Sequence, residues 1–232
     1  MKRIKKCICL TLLLFHLVIF LGSCSLYDQL AEKLGYDTYD YLNEKVTAVL
    51  SPEGEEAGIC RDVIRVLITG SGYLKTFENM GEAIEYYSDS VLTYMLENSY
   101  SKYSGNSELL KKAAEQYPEL GITVLIPVSE YENTMYRFFG GDVKIINRDR
   151  EKFMYLSRIN AYTTMFQPEF SNLKADIIYI SETERTYRVR FRAVAADEWD
   201  GIVYPEYFAL IIKRNDGTYY IKKLLEGTAV KD

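Results

Sequence analysis

The chain has 232 residues, 48% hydrophobic and 14% aromatic, which suits one medium-sized packed domain and excludes an intrinsically disordered or collagen-like chain. Residues 1–23 carry four basic groups and no acid. The rest holds 24 basic against 33 acidic residues, a net of about −9, which argues against nucleic acid or anionic lipid headgroups as electrostatic partners. The only histidine is His16, so residues 24–232 lack the side chain that Ser-His and Cys-His nucleophiles and most mixed-ligand zinc sites require.

Met1–Lys6 is basic, and Cys7–Leu21 is an apolar stretch of 15 residues broken only by Thr11 and His16. As a helix it would reach about 22 Å, short of the ~30 Å hydrocarbon core of a bilayer, so it reads as a cleavable signal peptide rather than a permanent span. Leu21-Gly22-Ser23-Cys24 follows. This tetrapeptide resembles the lipobox of bacterial lipoproteins, with leucine at −3, small residues at −2 and −1, and cysteine at +1. The resemblance implies cleavage between Ser23 and Cys24 and lipid on the Cys24 sulfur. Several acyl chains at about 0.8 kcal/mol per buried CH₂ hold such a protein at a membrane. The expected location is extracytoplasmic, on the bacterial cell membrane. An outer membrane is also open if the cell has two, because Ser25 is not the aspartate associated with inner-membrane retention. Cys7 and Cys9 would leave with the leader and Cys24 would be acylated, so Cys60 has no partner for an intramolecular disulfide. Cys60 lies in the apolar run Ile59–Ile68 and is expected as a small buried hydrophobe without activated-thiol chemistry.

The expected organisation is a leader over 1–23, a tether over 24–55 partly docked on the domain, and a domain over 56–232. Ser25–Asn43 is rich in tyrosine and aspartate, with a short helix expected near Leu26–Leu34 before Gly35. Val46–Leu50 reads as strand or helix, punctuated by Ser51-Pro52-Glu53-Gly54. Glu53, Glu55 and Glu56 sit before a helix, where acids favour the dipole, rather than forming an acid/base group. Ile59–Thr69 is a helix with Ile59, Val63, Val66 and Leu67 on one stripe, ended by Gly70-Ser71-Gly72. Met80–Tyr100 is a second helix, with Ile84, Tyr87, Val91, Tyr94 and Met95 at helical spacing. Ser107–Gln116 is a third, capped by Ser107 and closed before Pro118. Gly121–Pro127 reads as a strand. Ser129–Phe139 reads as a helix opened by a Ser129/Glu132 capping box and stopped by Gly140-Gly141.

From residue 142 the period changes to two. Val143–Ile146 and Phe153–Thr164 are expected strands, and Pro168 breaks the chain. Asp176–Ser181, Tyr187–Ala196, Val203–Arg214 and Tyr219–Leu225 are expected as four further strands, the last two joined by an Asn215-Asp216-Gly217 hairpin. Tyr207–Ile212 is apolar at every position, as in a strand covered on both faces or at a dimer contact. In the preceding strand Tyr187, Val189, Phe191 and Ala193 face one way and Arg188, Arg190 and Arg192 the other.

Helices first and an antiparallel meander last define an α+β class, with N-terminal helices packed on a C-terminal curved sheet. This order is similar to the NTF2-like and cystatin-like group. Tyr131–Gly141, ending in Phe138-Phe139-Gly140-Gly141, also resembles a helix found in uncharacterised lipoproteins of Firmicute-type bacteria, in which a lysine-bounded Asp-Gly hairpin like Lys213–Lys222 follows. The resemblance brings no catalytic residues. Asp–His chemistry of some NTF2-like enzymes is excluded by the missing histidine.

Three groups remain as candidate sites. Asp197, Glu198 and Asp200 lie near a turn with oxygen ligands suited to calcium, but their spacing is not that of an EF-hand and a solvated turn accounts for them. Trp199 beside Tyr204 is a candidate anchor for a partner protein or glycan if exposed, although such a side chain more often packs against the sheet edge. Arg188, Arg190 and Arg192 form a basic stripe able to bind an anionic ligand, or to pair with neighbouring acids such as Glu182, Glu184 or Glu206. No phosphate loop, nucleophile elbow or Cys-x-x-Cys is present. The expectation is a lipid-anchored, non-enzymatic binding or scaffold protein without a cofactor or metal. Its partners are the membrane and another envelope protein, a peptide or a glycan, not nucleic acid. The alternatives are a carboxylate-based cell-wall glycan hydrolase and a small-ligand carrier with an aromatic-lined cone.

Overall fold

The computed structural model describes residues 41–70, 74–141, 144–164, 172–195 and 205–227. The chain divides into two units, residues 1–40 and Tyr41–Asp232, and the second is described here. It is an α+β fold. In chain order it contains β1 (Ala48–Leu50), α1 (Glu55–Ile68), α2 (Met80–Ser104), α3 (Ser107–Gln116), β2 (Ile126–Pro127), α4 (Val128–Phe139), β3 (Met154–Leu156), β4 (Ala161–Thr163), β5 (Leu173–Glu182), β6 (Thr186–Ala195), β7 (Glu206–Lys213) and β8 (Tyr219–Glu226).

The last four strands form the expected antiparallel meander, and β1 joins it beside β5 to give the order β1-β5-β6-β7-β8. Period-two alternation sends Ile180, Val189, Phe191, Ala209, Ile211, Ile221 and Leu224 to one face, where all are buried. This inner face meets α1, whose stripe Ala57, Cys60, Ile64 and Leu67 is fully buried, and α4 packs on β8. The second layer is α2, which contacts α1 and α4. Each fully buried Leu, Ile or Phe side chain contributes about 1.5–3 kcal/mol relative to exposure. Phe77, Tyr87 and Phe139 meet within this core at ring-centroid distances of 5.6–5.9 Å. Phe77 also closes the β8 edge, exchanging backbone hydrogen bonds of 2.8 and 2.9 Å with Leu224.

A smaller sheet, β2-β4-β3, buries Leu125, Leu156 and Ala161 together with Ala113 of α3. Here the local expectations need correction. Asn106, not Ser107, caps α3, its side chain accepting from Leu109 N–H at 3.2 Å. Helix α4 starts at Val128 behind Pro127 with no side-chain cap, and Glu132 instead accepts from Asn147 at 2.8 Å. Of the expected strand over Gly121–Pro127 only Ile126–Pro127 forms. Val124 and Leu125 are buried but bond irregularly, through Thr163 Oγ1 and the Tyr103 carbonyl. Residues 144–146 are not a strand, and Phe153–Thr164 breaks into β3 and β4 at a turn where Asn160 takes φ +51°.

Candidate binding surface on the outer sheet face

The outer face of the sheet carries the arginine stripe of β6 and, on β7, Phe208, Leu210 and Ile212. These three apolar residues are at most 6% exposed, covered by Tyr41, Leu42, Tyr220 and Leu225. Strand β7 is therefore buried on both faces, as its unbroken apolar run predicts.

Each arginine of the stripe is engaged by the protein itself, in two different ways. Arg188 Nη2 donates to the carbonyls of Tyr41, Leu42 and Glu44 at 3.1, 3.0 and 2.6 Å. It thereby fixes the segment entering β1, part of the expected tether, against the sheet. The Glu44 side chain is only 8% exposed, accepts from Thr183 Oγ1 and lies 4.0 Å from Arg185 Nε. Thr47 N–H donates to the Glu182 carbonyl at 2.8 Å and continues the same seam. Arg192 pairs with Glu206, and Arg190 Nε lies 3.8 Å from the same carboxylate, with its guanidinium 5.8 Å from the centre of the Tyr179 ring. Glu206 is thus one of the acids expected beside the stripe. The carbonyl clamp on Arg188 is what sequence reasoning missed, because its partners lie more than 140 positions away.

Beside the stripe, a cleft of about 800 Å³ opens among the β5–β6 turn, the start of the β7–β8 hairpin and the end of α4. Of its basic residues among those described, Arg185, Lys213 and Arg214, the last two are structurally committed. Lys213 Nζ bonds Glu182 at 2.5 Å and the Thr183 carbonyl at 2.8 Å. Arg214 donates to the last carbonyls of α4, Tyr136 at 2.7 Å and Arg137 at 3.2 Å, and stacks 4.6 Å over the Tyr220 ring. Gly140 ends that helix at φ +69°, and a Cβ there would stand 2.6 Å from the Tyr220 ring. Only glycine suits that conformation and that approach. The Phe-Phe-Gly-Gly terminus and the lysine-bounded hairpin, distant in sequence, are therefore one joint.

A second cleft, of about 410 Å³, lies between α1, α2, α4 and the hairpin, with Asp62, Arg65, Tyr94 and Arg137 among its walls. Among the described residues that line them, the first cleft has Glu184 and the second Asp62 as its carboxylate. Cys60 is fully buried, and burial pushes its thiol up to about 12. Burial likewise raises the Tyr131 hydroxyl to about 12, although its 2.7 Å bond to Ser88 pulls the other way. Among the described residues no three His, Cys, Asp or Glu side chains converge as metal ligands, and no helix is long and apolar enough to cross a membrane. Ser23, Cys24, Asp197, Glu198, Trp199, Asp200 and Tyr204 lie outside the described residues. The chain matches no family model, no curated protein and no solved structure.

Proposed function

We propose that the chain is the precursor of a lipid-anchored, extracytoplasmic binding or scaffold protein of the bacterial envelope, without enzymatic activity of its own. The observation that carries this reading is Leu21-Gly22-Ser23-Cys24 directly behind a basic segment and a 15-residue apolar stretch. An acidic body needs a covalent anchor to stay at an anionic membrane, and acyl chains on Cys24 supply one.

The non-enzymatic part rests on chemistry. No histidine follows His16, the Cys60 thiol is sealed in the core, and among the described residues each cleft is lined by one carboxylate where glycoside hydrolysis takes two. The carrier alternative needs a hollow inner face, and the packing of α1 and α4 on that face counts against it. Partners are the membrane, through the lipid, and an envelope protein, peptide or glycan, with nucleic acid disfavoured by charge. The order of helices and meander also supports an NTF2-like or cystatin-like assignment.

The test is expression in a bacterium with radiolabelled fatty acid, followed by detergent phase partitioning. The wild-type chain takes up label and enters the detergent phase, and Cys24→Ala loses both. Retained label or partitioning in the variant refutes the anchor.

A further inference from the structure

The cleft of about 410 Å³ between α1, α2, α4 and the β7–β8 hairpin has braced walls. Arg65 of α1 and Glu97 of α2 pair at 2.8 Å. Arg214 fastens the hairpin to the end of α4 through the Tyr136 and Arg137 carbonyls, at 2.7 and 3.2 Å. The aromatic lining comes from three different elements. Tyr94 of α2 meets Phe138 of α4 edge to face, with 5.2 Å between ring centres, and Tyr219 of β8 is half-buried against the core. Two charged side chains remain. Asp62 of α1 and Arg137 of α4 line the cleft from different helices, both exposed, and neither forms an ion pair among the described residues. The Arg137 guanidinium lies 5.3 Å from the centre of the Phe138 ring.

A volume in the lower part of the roughly 300–1,000 Å³ range of ligand sites suits a molecule the size of an amino acid better than a polymer. Charge narrows the choice. A simple anion would meet Asp62 and a simple amine would meet Arg137, in each case a like charge. A neutral sugar would draw water from both charged groups and neutralise neither. A zwitterion answers both at once. Its carboxylate accepts from the guanidinium fork of Arg137, and its ammonium donates to the Asp62 carboxylate. The aromatic walls then select an aromatic or large aliphatic side chain.

We propose that this cleft binds a free α-amino acid with an aromatic or large aliphatic side chain. Arg137 holds the carboxylate, Asp62 holds the ammonium, and Tyr94, Phe138 and Tyr219 lie beside the side chain. The site is a side cleft between helices and a hairpin rather than a cone enclosed by the sheet. It goes beyond the reading of an anchored scaffold and does not depend on the lipid, since a detergent-solubilised chain binds as well as a membrane-bound one.

The experiment is equilibrium dialysis of the full chain in mild detergent against phenylalanine, tryptophan and leucine. Two analogues of phenylalanine serve as controls: 3-phenylpropanoate, which lacks the ammonium, and phenethylamine, which lacks the carboxylate. At least one amino acid is expected to bind saturably, and with phenylalanine each analogue binds roughly tenfold more weakly or worse. Both test positions are exposed, so Asp62→Asn and Arg137→Gln leave the fold intact. Each variant is expected to weaken amino-acid binding roughly tenfold or more, in a crossed pattern. Asp62→Asn leaves 3-phenylpropanoate no weaker than on the wild type, and Arg137→Gln leaves phenethylamine no weaker. Absence of saturable binding for all three amino acids overturns the proposal. So do analogues that bind as well as the amino acid, and so do variants that weaken every ligand equally or none.

Discussion

On its inner face the sheet meets α1 and α4 through side chains such as Val189, Phe191, Ile211 and Ile221, all fully buried. On its outer face it meets the segment at Tyr41–Glu44 through one guanidinium and three carbonyls, and among the described residues two more arginines share the carboxylate of Glu206. The first contact depends on area and shape, which many apolar substitutions nearly preserve. The second depends on direction, because a partly buried carbonyl that loses its donor keeps part of its desolvation cost. The inner face makes the domain stable, whereas the outer face fixes where the chain arriving from the N-terminal side is held.

Alkaline titration is expected to produce the largest effect, and it acts on the core. Cys60 and Tyr131 are pushed from 9.0 and 10.0 up to about 12, and burial also raises Tyr87, Tyr103 and Tyr187. The unfolded chain therefore releases these protons first. Their contribution to stability is complete below about pH 9 and is lost as pH climbs to about 12. Urea midpoints flat to pH 9 and falling above it are the expected result; midpoints unchanged to pH 12 would mean that these groups are not buried as described. Phe191→Ala comes next, with an expected loss of about 3–5 kcal/mol in urea unfolding. A loss under about 1 kcal/mol would remove the distinction between the faces.

Arg188→Ala should cost less, about 1–3 kcal/mol, by stranding carbonyls at Tyr41, Leu42 and Glu44. The distinguishing signature is local. Hydrogen exchange at the Thr47 amide should quicken far more than at Val189, and equal quickening would mean that the clamp is merely part of the global fold. Glu206→Gln is the smallest, at most about 1 kcal/mol, because both ion pairs are partly exposed. Its cost should shrink in high salt, and a salt-independent cost would mean packing rather than charge.

What could be read from sequence follows the same division. The alternation of β6, the apolar run of β7, the Asn215-Asp216-Gly217 hairpin and the Gly140 stop are written in local pattern, and each forms where the pattern puts it. Errors fall where a distant partner decides. Glu132 is spaced for a capping box, yet it is taken by Asn147. The run over Phe153–Thr164 has strand composition, but the turn before Asn160 folds it back on itself as β3 and β4. Residues 46–50 left strand and helix open, and pairing with β5 settles the matter. Of the candidate site, the facing of the arginines was legible from period two. Their partners were only half so: an acid such as Glu206 follows from the need for interspersed charge, but no local rule foresees three carbonyls gathered on Arg188.

All of these features concern a body that the proposed anchor holds at a membrane, so the most direct test of the account is the intact mass and N-terminal composition of the protein recovered from bacterial membranes. The account predicts a chain starting at Cys24, lacking residues 1–23, and heavier than the bare polypeptide by a thioether-linked diacylglyceryl group. A mature chain that begins at any other residue, or that carries no lipid on Cys24, would contradict it.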